Sequence, residues 1–142
     1  MKTYHTLTQT LQKAGMRITP QRIAICQLLV NSVEHPTAMS IYEMLKADYP
    51  SLSLATIYNT LDVLVALGSI NVLGSIGDDK VHFDADTTPH INLACVKCHK
   101  IIDVSSEYVD KMNSEITDNS GFHLLGSRVL YYGICPDCQK SE

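Results

Sequence analysis

Apolar side chains recur at helical spacing through the first half of the chain and fall into short β-prone runs in the second. Leu7 and Leu11, four apart, predict a first helix over residues 4–14 that stops at Gly15. In Arg17-Ile-Thr-Pro-Gln-Arg22, Thr19 is placed to cap a second helix, with Pro20 at its first position, where a missing N–H costs nothing. Ile23, Ile25, Cys26, Leu28 and Leu29 carry that helix to about Ser32, and Cys26 reads as a small core residue. After His35-Pro36, Thr37 caps a third helix with Ile41, Tyr42 and Leu45 buried, and Tyr49-Pro50 ends it because a residue before proline avoids helical backbone. Ser53 caps a fourth helix over residues 54–67, and Gly68 stops it. Its apolar face is Leu54, Ile57, Leu61, Leu64 and Val65; its polar face is Thr56, Tyr58, Asn59 and Asp62.

Beyond Gly68 the period shortens. Runs at 70–73 and 81–83, joined by a loop with Gly74, Gly77, Asp78 and Asp79, predict a hairpin. Runs at 90–93 and 100–104 flank a Cys95-x-x-Cys98 turn, and Ser106 precedes a helix over 107–118 with Tyr108, Val109, Met112 and Ile116 on one face. Strands at 122–125 and 128–134 lead to Cys135-Pro-Asp-Cys138. The expected fold is α+β: a winged helix-turn-helix DNA-binding domain over 1–83, a hinge at 84–90, and a small α/β dimerisation domain over 91–142 that holds a four-cysteine zinc site.

Composition narrows the picture. With 45% hydrophobic residues the chain of 142 has ample material for a core. No apolar run approaches the roughly 20 residues that span a bilayer, and no signal-peptide core follows Met1, so a cytoplasmic location is expected. In that reducing compartment closely spaced cysteines point to metal or catalytic thiols rather than disulfides. The net charge of -4 belongs to the second half: residues 1–80 carry six basic and six acidic side chains, residues 81–142 five and nine. Contact between the neutral first half and nucleic acid stays open.

The first turn of the fourth helix has suitable chemistry for that contact. Ser53 and Thr56 hydroxyls and the helix N-terminus suit phosphates, Asn59 a base edge, and Tyr58 a thymine methyl or phosphate, with Lys13, Arg17 and Arg22 as flanking clamps. A merely solvated helix face is the plainer reading; the cap and the hairpin favour DNA.

Metal chemistry concentrates between His82 and Asp103, where His82, Asp84, Asp86, His90, Asn92, Cys95, Cys98, His99 and Asp103 are all potential ligands. Two Cys-x-x-Cys turns, Cys95/Cys98 and Cys135/Cys138, have the spacing of a tetrahedral structural Zn(2+) site. A thiol-redox pair would need only one such turn. Among the harder donors, His90 and Asn92 share a face of a strand, and His35, Asp84 and Asp103 approach from neighbouring segments. Such a set would tie the two halves together across the hinge.

Arg17-Ile-Thr-Pro-Gln-Arg22, His35-Pro-Thr-Ala, Ser53-Leu-Ala-Thr-Ile-Tyr-Asn59, Phe83-Asp84, His90-Ile-Asn-Leu-Ala-Cys-Val-Lys-Cys98, Lys100-Ile-Ile-Asp103 and Tyr132-Gly-Ile-Cys-Pro-Asp-Cys138 together resemble the ferric uptake regulator (Fur) family, most closely its peroxide-stress repressors. The resemblance implies a homodimeric, metal-responsive repressor of a palindromic operator, controlling oxidative-stress and metal-homeostasis genes. It maps structural zinc onto Cys95, Cys98, Cys135 and Cys138, and regulatory Fe(2+) or Mn(2+) onto His35, Asp84, His90, Asn92 and Asp103. Asp103 favours the peroxide group, since iron-uptake regulators tend to carry Glu there. By resemblance, peroxide reacts at the ferrous ion, His35 or His90 is oxidised, and the repressor leaves its operator.

Asn92 departs from the pattern, for many members have His there and an amide oxygen is a poorer ligand for transition metals. His5 or His82 are the alternatives for that role. A further family metal site using a histidine in the last strands has no match at Gly126 or Ser127. Other readings are an iron-, manganese- or zinc-responsive regulator without peroxide sensing and, more distantly, a zinc-stapled enzyme or interaction module. An enzyme is not expected, because no nucleophile and base stand at a recognisable spacing.

Overall fold

The second to fifth helices start where side chains close them. In a computed structural model describing residues 2–74, 78–88 and 90–140, α1 (Tyr4–Lys13) is followed by α2 (Pro20–Asn31), whose first turn is capped by Thr19 accepting the Arg22 N–H at 3.2 Å. Gly77 of the expected hairpin loop and Pro89 of the expected hinge lie outside the described residues. α3 (Ala38–Leu45) opens with a capping box: Thr37 Oγ1 accepts the Ser40 N–H at 3.0 Å and Ser40 Oγ accepts the Thr37 N–H at 2.8 Å. Ser53 Oγ accepts the Thr56 N–H at 3.1 Å to start α4 (Leu54–Ala66).

One boundary differs from expectation. α3 ends at Leu45, short of Tyr49, because the Asp48 and Tyr49 N–H groups both turn back onto the Leu45 carbonyl, at 3.2 and 3.0 Å. The constraint of Pro50 is thus absorbed in a turn and not at the helix end.

The helices enclose a core in which Leu7, Leu11, Ile25, Ile41, Ile57 and Leu61 are completely buried. Cys26 belongs to it, and burial pushes its thiol pKa up to about 12, so it is an inert apolar residue here. β1 (Asn71–Leu73) and β2 (His82–Asp84) pair antiparallel with Val72 opposite Phe83. β2 is also hooked to the turn before α3: the Phe83 N–H donates to the Pro36 carbonyl at 2.9 Å, and Thr37 forms a bridge with His82. His35 and Asp84 are brought side by side by these links.

The second half is a three-stranded sheet in the order β4-β3-β5. β3 (Ile91–Cys95) runs antiparallel to β4 (Ile101–Val104) and parallel to β5 (Val129–Gly133). Between β4 and β5, α5 (Glu107–Ser120) is capped by Ser106 and closed by Gly121 in the left-handed region, φ 72°. A short α6 (Pro136–Lys140) follows Cys135.

The strand expected at 122–125 does not form. Its segment crosses back to the hairpin and is held there by side chains: the Asn71 amide donates to the Ser127 carbonyl at 3.3 Å and Arg128 donates to the Val72 carbonyl. Leu125 lies against Gly68, where a Cβ would stand 2.9 Å from Leu125 Cβ. Among the described residues no helix is long and apolar enough to cross a membrane.

Candidate metal centre

Five segments deliver the harder donors. His35 comes from the turn between α2 and α3, Asp84 from the end of β2, His90 from the residue before β3, Asn92 from β3 and Asp103 from β4. Asn92 and Asp103 are opposed in the antiparallel register, so their side chains share a sheet face. His35 Nε2 lies 3.0 Å from Asp103 Oδ1 and 3.4 Å from Asp84 Oδ2. His90 Nε2 lies 2.9 Å from Asp84 Oδ2 and 3.8 Å from Asp103 Oδ1. Ligand atoms of His35, Asp84 and Asp103 all fall within 4.8 Å of one another, and Asp86, His90 and Asp103 form a second, overlapping group.

The environment fits a divalent cation. His35, Asp84, His90 and Asn92 are buried, whereas the Asp103 side chain is 43% exposed and leaves an approach. Both ring nitrogens of His35 and Oδ1 of Asn92 are buried without an aligned hydrogen bond, an uncommon condition that a coordinated ion would relieve at His35 Nε2 and at Asn92. His90 Nδ1 donates to the Thr88 carbonyl at 2.7 Å, which fixes the tautomer and aims Nε2 into the cluster. Thr88 was not singled out from the sequence, since a carbonyl contact leaves no mark on residue identity.

The charges are set for competition between protons and metal. Burial alone would lower the His35 pKa, but Asp84 and Asp103 outweigh it and hold the pKa above its ordinary 6.5. His90 follows the same pattern: burial opposes protonation, while the Thr88 carbonyl, Asp84 and Asp103 favour it more. Burial would raise the Asp84 pKa, yet His35, the Asp86 N–H and His90 bring it below 3.8.

His5 and His82 lie outside both groups. His5 is exposed on α1 with its ring 4.1 Å from that of Tyr4, and both His82 ring nitrogens are engaged, with the His35 carbonyl and with Asp78. Asp86 is exposed and accepts from the Thr88 N–H at 3.0 Å. His99, φ 66°, sits in the cysteine turn and joins neither group.

A separate sulfur centre lies at the far end of β3. The Sγ atoms of Cys95, Cys98, Cys135 and Cys138 are within 4.8 Å of one another, and Cys98 and Cys135 are 3.8 Å apart. Zn–S bonds of about 2.3 Å in a tetrahedron put sulfurs about 3.8 Å apart. The Cys135, Cys98 and Lys97 N–H groups stabilise the Cys95 thiolate, with a pKa of about 5; the Cys138 thiol, hydrogen-bonded above all to Cys135 and also to Cys95 and Cys98, is pushed up to about 12. Parallel pairing of β3 and β5 brings Cys95 opposite Gly133, so the two turns emerge side by side.

The residues considered for DNA lie on the helical half. On α4, Tyr58 and Asn59 are exposed, while the Ser53 and Thr56 hydroxyls face each other at 3.1 Å within the cap. Lys13 and Arg17 are exposed; Arg22 turns back to donate to the Arg17 carbonyl, which leaves it half-buried.

Comparison with known proteins agrees with this architecture. Residues 13–132 match the model of the "Ferric uptake regulator family". The peroxide operon regulator of Bacillus subtilis is 40% identical over 134 residues, covering 94% of this chain and 92% of that protein. The solved PerR of Streptococcus pyogenes, described as a peroxide sensor and gene regulator, shares 36% identity at a TM-score of 0.55, with 98% and 95% of the two chains covered. The Helicobacter pylori ferric uptake regulator, 20% identical over 99% of this chain and 97% of its own, has the same fold at a TM-score of 0.77. With its helical half, its β4-β3-β5 sheet and its clustered ligands, the chain belongs to the ferric uptake regulator family.

Proposed function

We propose that this protein is a metal-dependent transcriptional repressor, acting as a cytoplasmic homodimer, that senses peroxide. The observation that carries this reading is the convergence of His35 and Asp84, from the helix-and-hairpin side, with His90 and Asp103, from the sheet side. An ion gripped by both would fix their mutual orientation and thereby the spacing of two DNA-reading helices across a dimer. Each tenfold preference for the closed arrangement is worth about 1.4 kcal/mol.

On this reading residues 1–83 are a winged helix-turn-helix with α4 in the major groove of a palindromic operator, 84–90 a hinge and 91–142 the dimerisation domain. Exposure of Tyr58 and Asn59 supports base contact, with Lys13 and Arg17 toward phosphates and Arg22, Ser53 and Thr56 shaping the helix entry. Tyr108 at 70%, Met112 at 43% and Ile116 at 45% exposure leave the apolar face of α5 for a second copy.

His35, Asp84, His90, Asn92 and Asp103 would hold the regulatory Fe(2+) or Mn(2+), and the four cysteines a structural Zn(2+). When bound, Fe(2+) supplies the one-electron chemistry that activates peroxide. The chain contributes two aimed imidazoles, a partly exposed Asp103 as the open side, and a carbonyl that pins His90. Oxidation of either ring would loosen the clamp.

Mobility shifts on palindromic promoters of peroxide-defence genes test this reading. Fe(2+) or Mn(2+) should produce the shift; peroxide should abolish it only with Fe(2+), as His35 or His90 peptides gain one oxygen. Absence of any metal-dependent shift would overturn repression. The buried amide oxygen of Asn92 favours one second reading, a manganese-responsive regulator that peroxide leaves unaffected.

A further inference from the structure

His35 is a ligand candidate in an awkward conformation. Its φ is 53°, a left-handed backbone that residues with a Cβ seldom adopt, and its neighbours Pro36 and Thr37 lead directly into a capped helix. Something must hold the turn, because the direction of the Cα–Cβ bond there decides where the imidazole points. The hold comes from β2. His82 Nδ1 lies 2.7 Å from the His35 carbonyl oxygen, and since a carbonyl only accepts, Nδ1 carries the proton. His82 Nε2 in turn lies 2.8 Å from Asp78 Oδ2, and the other Asp78 oxygen accepts the Lys80 N–H at 3.1 Å. The pair is sheltered, with side-chain exposures of 12% for His82 and 14% for Asp78. Neither residue belongs to a ligand group.

The arrangement is a carboxylate–imidazole–carbonyl chain that runs from the segment between β1 and β2 to the backbone of a ligand residue. We propose that His82 and Asp78 are positioning residues for the regulatory cation: they lock the His35 turn so that its ring is aimed at Asp84 and Asp103. Divalent-cation affinity is thereby set partly in the hairpin, outside the coordination sphere. Orienting contacts one step removed from a metal commonly change its affinity ten- to a hundredfold. Here the contact acts on a ligand's main chain instead of its ring.

This inference rests on the reading that His35 binds the ion, and the test separates the two. Mn(2+) alone is titrated into the full, zinc-loaded chain and its paramagnetic resonance spectrum recorded, with thermal unfolding of the Mn-free protein alongside. His82→Leu and Asp78→Ala should each weaken Mn(2+) binding at least about tenfold and alter the bound spectrum. His82→Asn, whose amide nitrogen can replace Nδ1 as donor to the His35 carbonyl, should restore affinity to within about threefold of the parent. If His82→Leu and Asp78→Ala lower the melting temperature but leave Mn(2+) affinity and spectrum unchanged, the pair is only structural and the proposal falls. If His82→Leu fails to fold, Asp78→Ala with its zinc retained decides by the same readouts. His35→Ala is the control: unchanged Mn(2+) binding there would sink the regulatory-site reading itself, whereas loss there with no effect at His82 and Asp78 would sink this proposal alone.

Discussion

At the scale of single residues, the side chains that hold protons are also the proposed cation ligands, and the two uses have opposite pH dependence. Without metal, His35 and His90 have raised pKa values, so their contribution to stability is complete below 6.5 and disappears as pH climbs through the folded-state values. The Asp84 contribution is present above 3.8 and lost as pH falls through its depressed value. Urea unfolding of Mn-free protein should therefore show this cluster stabilising most at mildly acidic pH and less toward pH of about 8. Mn(2+) affinity should run the other way, weakening as pH drops and the rings hold their protons, with proton release detected by calorimetry in buffers of different ionisation enthalpy. Asn92→Ala should weaken Mn(2+) at least about tenfold if the orphaned amide oxygen is a ligand; unchanged affinity would remove Asn92 from the set.

At the scale of elements, two local features set packing with calculable consequences. Thr19→Ala removes the side-chain oxygen that accepts the Arg22 N–H and should cost about 1 kcal/mol in denaturant unfolding. Gly68→Ala meets both a positive φ of 72° and Leu125 Cβ at 2.9 Å, so it should cost more than about 1 kcal/mol and displace the segment before β5. A Gly68→Ala protein of parental stability would show that Leu125 does not press there. The helices were legible because Leu7 and Leu11 repeat at helical spacing, and Ile57, Leu61 and Leu64 do so behind the Ser53 cap. The segment at 122–125 was not, because Phe122 and Leu125 give a β-like pattern while the residues just after it are tied to the distant hairpin, Ser127 through its carbonyl to Asn71 and Arg128 through its side chain to the Val72 carbonyl. Likewise the cysteine spacing announced a shared metal, but nothing in the identity of His82 revealed that both its nitrogens are engaged.

At the scale of the whole molecule, the two metal centres differ in what their removal should do. Cys135→Ser should abolish the zinc content seen by mass spectrometry and lower the melting temperature by many degrees, because few buried apolar residues stabilise the sheet half: Val109 is the one buried residue of α5. Removing Mn(2+) should leave the secondary structure intact and change only the separation of the halves, read by small-angle scattering. β3 connects these events. His90 directly precedes this strand, Asn92 lies within it and Cys95 closes it, so a stiff rod of five residues, about 17 Å long, carries a cysteine anchor at one end and the proposed sensor imidazole at the other. A rod clamped at its base transmits any jolt at its tip instead of dissipating it; loosen the clamp and the tip wanders. Zinc-depleted protein should consequently be a poor sensor even with every nitrogen and oxygen donor untouched, whereas a sensor spent by oxidation should keep its zinc.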